Sequence, residues 1–501
     1  MKNAFAACEF RRQGLIDHFG LHRAVCWCGM FASLLLMFAC VSMAAADEYW
    51  SAVEQSGHRV GHAHYERQRH DGQITTRDEL LIHVRVGGLS QDMRIERESL
   101  ERDDGTPLGY SLRVSAGASQ LDASARVSGK ELAVNRRIGQ SVRRDRMPLP
   151  PGLLLRGALE QRIAQQDAER DWTLEFDELD LASLAYQRVR LRPDAPGIAD
   201  PVRLRRDIDR NGHRLQSQLT WIPAEKRYVE SWNLWGSTFV LRGTDRESAL
   251  SPAESYDLLS DVSLASPYRI PGGARAGTIR YVFESTGGSA LTLATTGEQE
   301  VRIHGSRTIV TICRDCGNEA APAAAELNRY RRPTGWIQSD DPRIRALARQ
   351  APLRGSIDAR MRALSHQVER HMTGAIDYLG YASALEALDS RSGDCGEFAL
   401  LLAAVARASG IPTRVVAGLA YASRFSGRSD VFSPHMWVQS WDGTRWRSYD
   451  AGLGQFDSGH IALVVGDGAP TDFEGVTNTL HQMRMVEAGH IKTMPSAAPL
   501  R

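Results

Sequence analysis

Apolar and polar residues alternate along much of the chain from Asp47 to about residue 250. In LLIHVRV, residues 80–86, every second position is apolar, and turn pairs such as Asp71-Gly72 separate segments of this kind. A period of two is typical of antiparallel strands with one buried face. The pattern predicts an antiparallel β-rich domain, and after the Pro-rich break MPLPPG the segment LLLRGALEQRIAQQ predicts a helix that packs on its sheet.

Helical spacing replaces this alternation in the last third of the chain. A shorter β-like stretch over about residues 258–318 comes first and ends in the Ala/Pro-rich segment AAPAAAE, which is typical of a linker. In SIDARMRALSHQVERHM the apolar residues recur at helical spacing: Met361, Leu364, Val368 and Met372. Ser383 and Glu386 form a capping-box pattern before another short helix. The fold class we predict is α+β, a β-rich region followed by a helical and β-sheet domain.

These changes of pattern predict five segments. They are an N-terminal targeting segment (1–46), a β-rich domain of unknown role (47–250), a small β subdomain with a Cys-x-x-Cys pair and linker (251–325), a domain that carries the chemistry described below (326–470), and a C-terminal extension (471–501).

Charge excludes one class of partner. The 61 Lys and Arg residues nearly balance the 60 Asp and Glu residues, so the formal net charge is +1. Basic residues do not gather into a long block of the kind that contacts phosphates. We therefore expect no nucleic-acid partner.

The first residues have the pattern of an export signal. Arg11, Arg12 and Arg23 precede the apolar run MFASLLLMFACVSMAAADE, whose small residues end at Ala46. This order predicts a signal peptide that is cleaved after Ala46. Counted from Val25, the apolar segment approaches the roughly 20 residues that span a bilayer, so an uncleaved inner-membrane anchor is the alternative. We expect an exported protein that is periplasmic or anchored facing the periplasm.

Export changes the interpretation of the seven cysteines. Four of them lie in the N-terminal segment: Cys8, Cys26, Cys28 and Cys40. In an oxidising compartment, Cys313 and Cys316 in TICRDC predict a local disulfide. A redox-active pair or half of a zinc site are the alternatives, but no second pair with zinc-ligand spacing follows. Cys395 is left without a partner.

No metal or cofactor site is predicted from the other polar clusters. The histidines in HRVGHAHYERQRH are close together in the sequence: His58, His62, His64 and His70. No cysteine or suitably spaced carboxylate completes a coordination shell, and a polar edge strand accounts for the same composition. We expect neither a metal nor a cofactor.

Cys395 stands at the start of a predicted helix in SGDCGEFALLLAAVARASGIP. Asp394 and Glu397 have capping-box spacing, and the apolar run continues until Gly410 and Pro412 end the helix. The first turn of a helix favours a thiolate, lowers a thiol pKa, and supplies N–H donors for an oxyanion. The pattern favours a nucleophile, and a small buried hydrophobic residue is the alternative.

A predicted hairpin supplies a base. The strands SPHMWVQSW and TRWRSYDAG are joined by Asp442-Gly443, a strong signal for a two-residue turn. Such a turn places Trp441 opposite Thr444, and therefore His435 opposite Asp450, where the carboxylate can orient the imidazole. The same face would carry further residues: Trp437, Gln439, Trp441, Trp446 and Ser448. His435 could then accept the proton of Cys395.

These residues resemble a known family. GDCGEFALLLAAVARASGIPTRVVAGLAYA, HMWVQSW and WRSYDAGLGQFDSGHI closely resemble the transglutaminase-like superfamily, in particular its bacterial exported members, over about residues 335–470. The resemblance implies a papain-like fold with Cys395 as nucleophile, His435 as general base and acid, and Asp450 as the orienting residue. It assigns no side-chain oxyanion donor, and no acidic loop supports the calcium site of animal members.

Two functional hypotheses follow. The first is exported thiol-dependent acyl transfer or hydrolysis on peptide or protein amides, through a thioester on Cys395. The superfamily includes transferases, proteases and amidases, so the acceptor of the acyl group stays open. The alternative is a catalytically silent binding or scaffold protein of the cell envelope. The sequence predicts no oligomeric state.

Overall fold

The structure is a computed structural model. It describes residues 46–491, except for 87–88, 117–118, 139–140, 168–169, 196–199, 211–212, 235–236, 258–261, 352–353, 375–380 and 474–475. The predicted signal segment, residues 1–46, lies outside the described residues apart from Ala46. Among the helices in the described ranges, none is long and apolar enough to cross a membrane.

An antiparallel meander opens the described chain. Its eight strands are β1 (Ala46–Gln55), β2 (His58–His70), β3 (Gln73–Val86), β4 (Leu89–Arg102), β5 (Pro107–Ala116), β6 (Ser119–Ser128), β7 (Glu131–Ile138) and β8 (Ser141–Pro148). Leu80, Ile82 and Val84 of β3 are buried on the core face, as the period of two predicts. The histidines predicted to lie on a polar edge strand are spread along β2, and the edge assignment is wrong because β2 pairs with β1 on one side and β3 on the other. The antiparallel β-rich prediction for this region is confirmed.

The predicted helix follows this meander and connects it to a second sheet. Helix α1 (Arg156–Ala164) begins at Leu155, which provides no side-chain cap. Glu101 of β4 takes that role, since its carboxylate oxygens accept the Gly157 and Ala158 N–H groups at 2.7 and 3.0 Å. The second sheet is antiparallel and contains β9 (Leu174–Asp180), β10 (Ala185–Pro193), β11 (Val202–Arg210), β12 (His213–Ile222) and β13 (Arg227–Glu230).

The chain then returns to the first sheet and continues into a third. The returning elements are β14 (Trp232–Leu234), β15 (Ser237–Thr244), α2 (Arg246–Leu250) and β16 (Tyr256–Asp257). Strand β15 pairs with β1, and β16 pairs parallel to the end of β3. After these come β17 (Leu264–Ala265), α3 (Gly272–Arg275), β18 (Thr278–Ser285), β19 (Gln299–His304) and β20 (Arg307–Ile312).

Helices precede the sheet that carries the candidate site. They are α4 (Ala324–Arg329), α5 (Pro342–Arg349), α6 (Ile357–His371), α7 (Ala384–Ser390) and α8 (Cys395–Ala408), with the short strands β21 (Thr373–Gly374) and β22 (Ser392–Gly393) between them. The sheet adds β23 (Thr413–Phe425), β24 (Arg428–Trp441), β25 (Trp446–Tyr449) and β26 (His460–Gly466). Its order is β17-β24-β23-β26 with β25 beside β24, and all pairs are antiparallel. Helix α8 packs on this sheet through an apolar core.

The last described elements join the sheet of β18. After a 3₁₀ turn (Pro470–Phe473) and α9 (Val476–Gln482), β27 (Met483–Ile491) pairs antiparallel with β18. Tyr281 and Phe283 of β18 share one apolar core with Leu419 and Phe432 of the site sheet. The segments predicted as 251–325 and 471–501 therefore contribute to one sheet, and the exact domain boundaries stay predictions.

Candidate active site

Helix α8 begins at Cys395 with the predicted cap. The Asp394 carboxylate accepts the Gly396 N–H at 2.8 Å, and Glu397 accepts the Asp394 N–H at 3.0 Å. The other oxygen of Glu397 accepts the Ala382 N–H at 2.8 Å. This reciprocal box fixes where the helix starts, so Cys395 occupies its first turn.

The thiol lies in a more enclosed environment than the sequence indicated. Cys395 is of intermediate exposure and is the free cysteine of the described residues. Burial raises its pKa well above the ordinary value and the Asp394 carboxylate raises it further, whereas a hydrogen bond from the Met436 N–H lowers it. The predicted lowering of the thiol pKa by the helix terminus is therefore outweighed. A raised thiol pKa means that Cys395 depends on a base to become a nucleophile.

His435 and Asp450 form a buried pair. The Nε2 of His435 lies 2.7 Å from Asp450 Oδ2, and the two side chains are 8% and 1% exposed. Asp450 Oδ1 accepts the Gly452 and Leu453 N–H groups at 2.7 and 3.0 Å. Both carboxylate oxygens are thus held, and Nδ1 is the ring nitrogen of His435 that does not contact Asp450.

Gly452 connects the three predicted residues. A Cβ atom at this position would lie 3.4 Å from Asp450 Oδ1, 3.7 Å from His435 Cε1 and 3.9 Å from Cys395 Cα. The side chains of Asp450 and His435 and the backbone of Cys395 therefore surround the same glycine. Their catalytic roles stay predictions.

The hairpin register predicted from the sequence is wrong by two residues. Trp441 pairs with Trp446, and Val438 pairs with Tyr449, so the loop has four residues instead of two. The Asp442 carboxylate causes this widening, because it accepts the Thr444 and Arg445 N–H groups at 2.7 and 2.8 Å. His435 is consequently not paired with Asp450 across the ladder. Asp450 follows the last residue of β25 and reaches the imidazole from there.

A second histidine also binds the same carboxylate. His460 opens β26, and its Nε2 lies 3.0 Å from Asp450 Oδ2. Strand β23 lies between the two histidines: His435 pairs with Gly418, and His460 pairs with Ala420. Sequence reasoning missed His460 because a hairpin argument cannot connect strands that are separated by a third. The apolar run that follows it, IALVVG, is the signal that would have placed it at a strand start.

Electrostatics couple these groups. Burial acts to raise the pKa of Asp450, but hydrogen bonds from His435 and His460 outweigh it and hold that pKa well below its usual range. Burial acts to lower the pKa of His460, but hydrogen bonds to Asp450 and Asp457 outweigh it and raise that pKa to about 9. Asp450 is therefore a carboxylate and His460 a cation near neutral pH.

The comparison with family models concerns this region. Residues 347–451 match the model of the transglutaminase-like superfamily, a stretch that contains Cys395, His435 and Asp450. The chain carries a transglutaminase-like domain. His460 lies beyond the matched residues. The match supports thiol-dependent catalysis in general and leaves the specific reaction open.

Two solved structures are similar to the chain. One is a candidate cysteine protease from Cytophaga hutchinsonii, at 15% identity and a TM-score of 0.28, with 44% of this chain and 89% of that one covered. Another is a candidate protease from Parabacteroides distasonis ATCC 8503, at 11% identity and a TM-score of 0.19, with 71% and 68% covered. Scores this low carry no argument about fold or reaction. No curated protein matches the sequence.

The aromatic face predicted around the transglutaminase-like site is occupied by its own contacts. Trp437 Nε1 and Gln439 Nε2 both donate to Ser448 Oγ, at 3.3 and 3.1 Å, and Arg414 donates to Gln439 Oε1. Neither donor is therefore directed at Cys395. At the start of α8 the Gly396 and Glu397 N–H groups are bonded to Asp394, so the backbone donor that this helix start offers to an oxyanion is the Cys395 N–H.

The Cys-x-x-Cys segment covers the loop of the site hairpin. Cys313 and Cys316 are joined as a disulfide in the structure. Between them, Asp315 accepts a hydrogen bond from Arg447 at 2.7 Å, and its backbone carbonyl accepts one from Arg445 at 3.0 Å. The Cys313–Cys316 disulfide thus lies against the transglutaminase-like domain, beside strand β25, which leads to Asp450.

A metal ion is an alternative occupant of this part of the site. Within the described ranges, one cluster has possible metal-ligand atoms that all lie within 4.8 Å of one another: His435, Asp450 and His460. The two nitrogens lie 2.7 and 3.0 Å from the same oxygen. Tetrahedral zinc ligands at about 2.0–2.1 Å would be roughly 3.3 Å apart. These distances match hydrogen bonds better than metal coordination.

Proposed function

We propose that this protein is an exported thiol-dependent enzyme that acts on peptide or protein amides. The proposal assigns Cys395 as nucleophile, His435 as general base and acid, and Asp450 as the residue that orients His435, on a papain-like core. The single observation that carries it is the 2.7 Å hydrogen bond between His435 Nε2 and Asp450 Oδ2, which lies beside Gly452 with the Cα atom of Cys395 on the same glycine.

The chemistry runs in two steps. His435 takes the thiol proton at Nδ1, because Nε2 is bound to Asp450, and Cys395 Sγ forms a bond to the amide carbonyl carbon. The Cys395 backbone N–H at the start of α8 stabilises the oxyanion, and His435 returns the proton to the leaving amine as the C–N bond breaks. Water or an amine then attacks the thioester and releases Cys395.

The enclosed thiol constrains this mechanism. Because burial raises the pKa of Cys395, the proposal assigns transfer of the thiol proton to His435 as a step that accompanies attack. The same observation favours the second candidate, a catalytically silent domain that binds a peptide or an envelope partner. Reactivity of Cys395 separates the two candidates.

Alkylation by iodoacetamide tests the proposal. We expect His435→Gln to slow labelling of Cys395 at pH 7 by about tenfold or more, in line with the loss of a general base. His371→Gln is the matched control, because His371 is partly buried and bonds only the Leu388 carbonyl through Nε2. Equal labelling in wild type and His435→Gln would contradict the catalytic assignment and favour the silent alternative.

The substrate requires a separate experiment. A Cys395→Ala variant removes only the Sγ atom and cannot form the thioester, so it should retain peptides that the wild type converts. Mass spectrometry of captured peptides, followed by incubation with wild type, identifies an acyl donor and shows whether water or an amine is the acceptor. Turnover that survives Cys395→Ala would exclude the mechanism.

Export is part of the proposal and rests on the N-terminal sequence pattern. Cell fractionation should place the protein in the periplasm or at the inner membrane. N-terminal sequencing should give Asp47 as the first residue if cleavage follows Ala46. A cytoplasmic protein with an intact N-terminus would contradict it.

A further inference from the structure

We propose that Leu453 is a specificity-determining residue of this site, and that it selects amide substrates with an apolar side chain within two residues of the bond that Cys395 attacks. This inference rests on the proposed function, because it names the substrate class of the same site. Leu453 lies on the loop that follows Asp450 and connects β25 to β26.

The backbone of Leu453 is held next to the candidate catalytic residues. Its N–H donates at 3.0 Å to Oδ1 of Asp450, whose other oxygen binds His435. The residue before it is Gly452, where a Cβ atom would lie 3.9 Å from Cys395 Cα. Because consecutive Cα atoms are about 3.8 Å apart, Leu453 Cα lies within about 9 Å of Cys395 Cα. An extended peptide advances roughly 3.3–3.6 Å per residue, so a residue one or two positions from the attacked carbonyl can reach Leu453.

The side chain of Leu453 is apolar and exposed to solvent, with an exposed fraction of 56%. Its neighbours Gly452 and Gly454 are exposed as well and have no side chains that could cover it. A Cβ atom at Gly454 would lie 3.9 Å from Glu369 Oε1, so the loop runs from the start of α8 towards the end of α6 with Leu453 between them. Covering an apolar surface that is otherwise in water is favourable, so Leu453 offers binding free energy to an apolar ligand.

The place of Leu453 distinguishes it from other exposed apolar residues. Among the residues that the structure describes, the other large apolar side chains on the surface belong to different elements: Val142, Val240, Leu250, Tyr268, Ile303 and Ile491. Single residues of this kind are common on protein surfaces and need no ligand. Leu453 instead follows directly on the glycine that contacts Cys395 and His435, where a bound substrate has to pass.

Two further side chains with apolar surface border the start of α8. The Met436 N–H donates to Cys395 Sγ, and a Cβ atom at Gly396 would lie 3.6 Å from Met436 Sδ and 3.8 Å from Tyr381 Cε2. Both side chains are half-buried. The exposed Asp394 carboxylate at the same helix start accepts the Gly396 N–H at 2.8 Å. A peptide bound at the thiol therefore meets apolar side chains, and these favour apolar over charged residues of the substrate.

Two alkylating reagents that differ in one apolar group test the inference on the full chain. Cys395 is labelled at pH 7 with iodoacetamide or with N-benzyliodoacetamide, and each rate is measured by mass spectrometry of the Cys395 peptide and divided by the rate for N-acetylcysteine. The ratio of the two corrected rates, benzyl over unsubstituted, is the selectivity. We expect it to exceed about 3 in wild type and to fall by about 3- to 10-fold in Leu453→Ser, because serine removes apolar area that the benzyl ring covers.

Two matched variants control for the substitution itself. Leu250→Ser makes the same change at a leucine that is 47% exposed on α2, and it should leave the selectivity at the wild-type value. Leu453→Met keeps an apolar side chain and should retain the selectivity too. An equal selectivity in wild type and Leu453→Ser overturns the inference. A wild-type selectivity near 1 also overturns it, and this measurement needs no variant that folds.

His435→Gln separates this inference from the proposed function. If His435 is the base, His435→Gln slows both reagents by the same factor and leaves the selectivity unchanged. If it slows neither reagent, the proposed function fails, and the selectivity still decides whether Leu453 provides an apolar binding surface beside Cys395. A role of Leu453 in folding alone would lower the melting temperature without changing the selectivity, and that result contradicts the inference.

Discussion

Arg136 offers a direct test of how the β-rich region supports the transglutaminase-like domain. It occupies a core-facing position of β7 and is fully buried, where it bonds both carboxylate oxygens of Glu386 at 3.2 and 3.0 Å. Its guanidinium also lies over the Trp336 ring at 5.2 Å and donates to the Tyr381 carbonyl. Glu386 accepts the Ser383 N–H at 2.7 Å, so the same carboxylate caps helix α7.

Arg136→Met removes one partner of this pair and leaves a buried carboxylate on Glu386. We expect a loss of about 3–5 kcal/mol in the free energy of unfolding, since an unpaired buried charge retains its full desolvation cost. Arg137→Met is the matched control. Arg137 is the next residue of β7, is 57% exposed and pairs with Asp122 at 3.2 Å, so it should cost no more than about 1 kcal/mol.

Urea unfolding followed by tryptophan fluorescence measures the stability of both variants. The double variant Arg136→Met with Glu386→Gln should recover part of the loss, because the charge left unpaired is then removed. Equal effects of the two arginine variants would refute the reasoning. So would a double variant that is no more stable than Arg136→Met.

Two other changes test the site and the β-rich region. Gly452→Ala places a methyl group at ordinary contact distance from His435 and Cys395. It should therefore leave the melting temperature near that of wild type but slow Cys395 labelling by about 10- to 100-fold. Gly273→Ala is the control, because the space around Gly273 is open, and it should change neither quantity. Burial raises the pKa of Glu101 to about 7 from 4.5, so its contribution to stability is complete below pH 4.5 and is lost as pH rises through 7. In urea titrations at several pH values, Glu101→Gln should reduce the change of the unfolding free energy with pH by up to roughly 3 kcal/mol. Glu98 is exposed on the same strand, so Glu98→Gln should not reduce it.

Local sequence signals predicted the elements that carry the site. The capping boxes at Asp394 and Ser383 depend on residues three positions apart, and both are present in the structure. The alternation of β3 likewise depends only on neighbours along the chain. The start of helix α8, and with it the place of Cys395, could therefore be predicted without knowing the rest of the fold.

Contacts between distant segments could not be predicted in this way. Arg136 and Glu386 are 250 residues apart, and an arginine at an apolar position of β7 does not indicate its partner. His460 is only ten residues from Asp450 but lies on a strand separated from β24 by β23. Its role depends on sheet order, which pairwise hairpin reasoning does not reach.

The predicted hairpin register was wrong by two residues, and the size of this error explains why the predicted His435–Asp450 pair still forms. Side chains alternate with a period of two, so a shift by two residues keeps every side chain on its predicted face. Gln439 and Ser448, predicted to share one face, do so and lie directly opposite each other, where the predicted register would have paired Gln439 with Trp446. A shift by one residue would have turned His435 away from Asp450.

The extra residues of the Asp442 turn instead end β25 before Asp450, which frees that carboxylate from the ladder and lets one oxygen contact both His435 and His460. A strictly paired aspartate, held opposite one residue, would not be placed to bind two histidines from different strands.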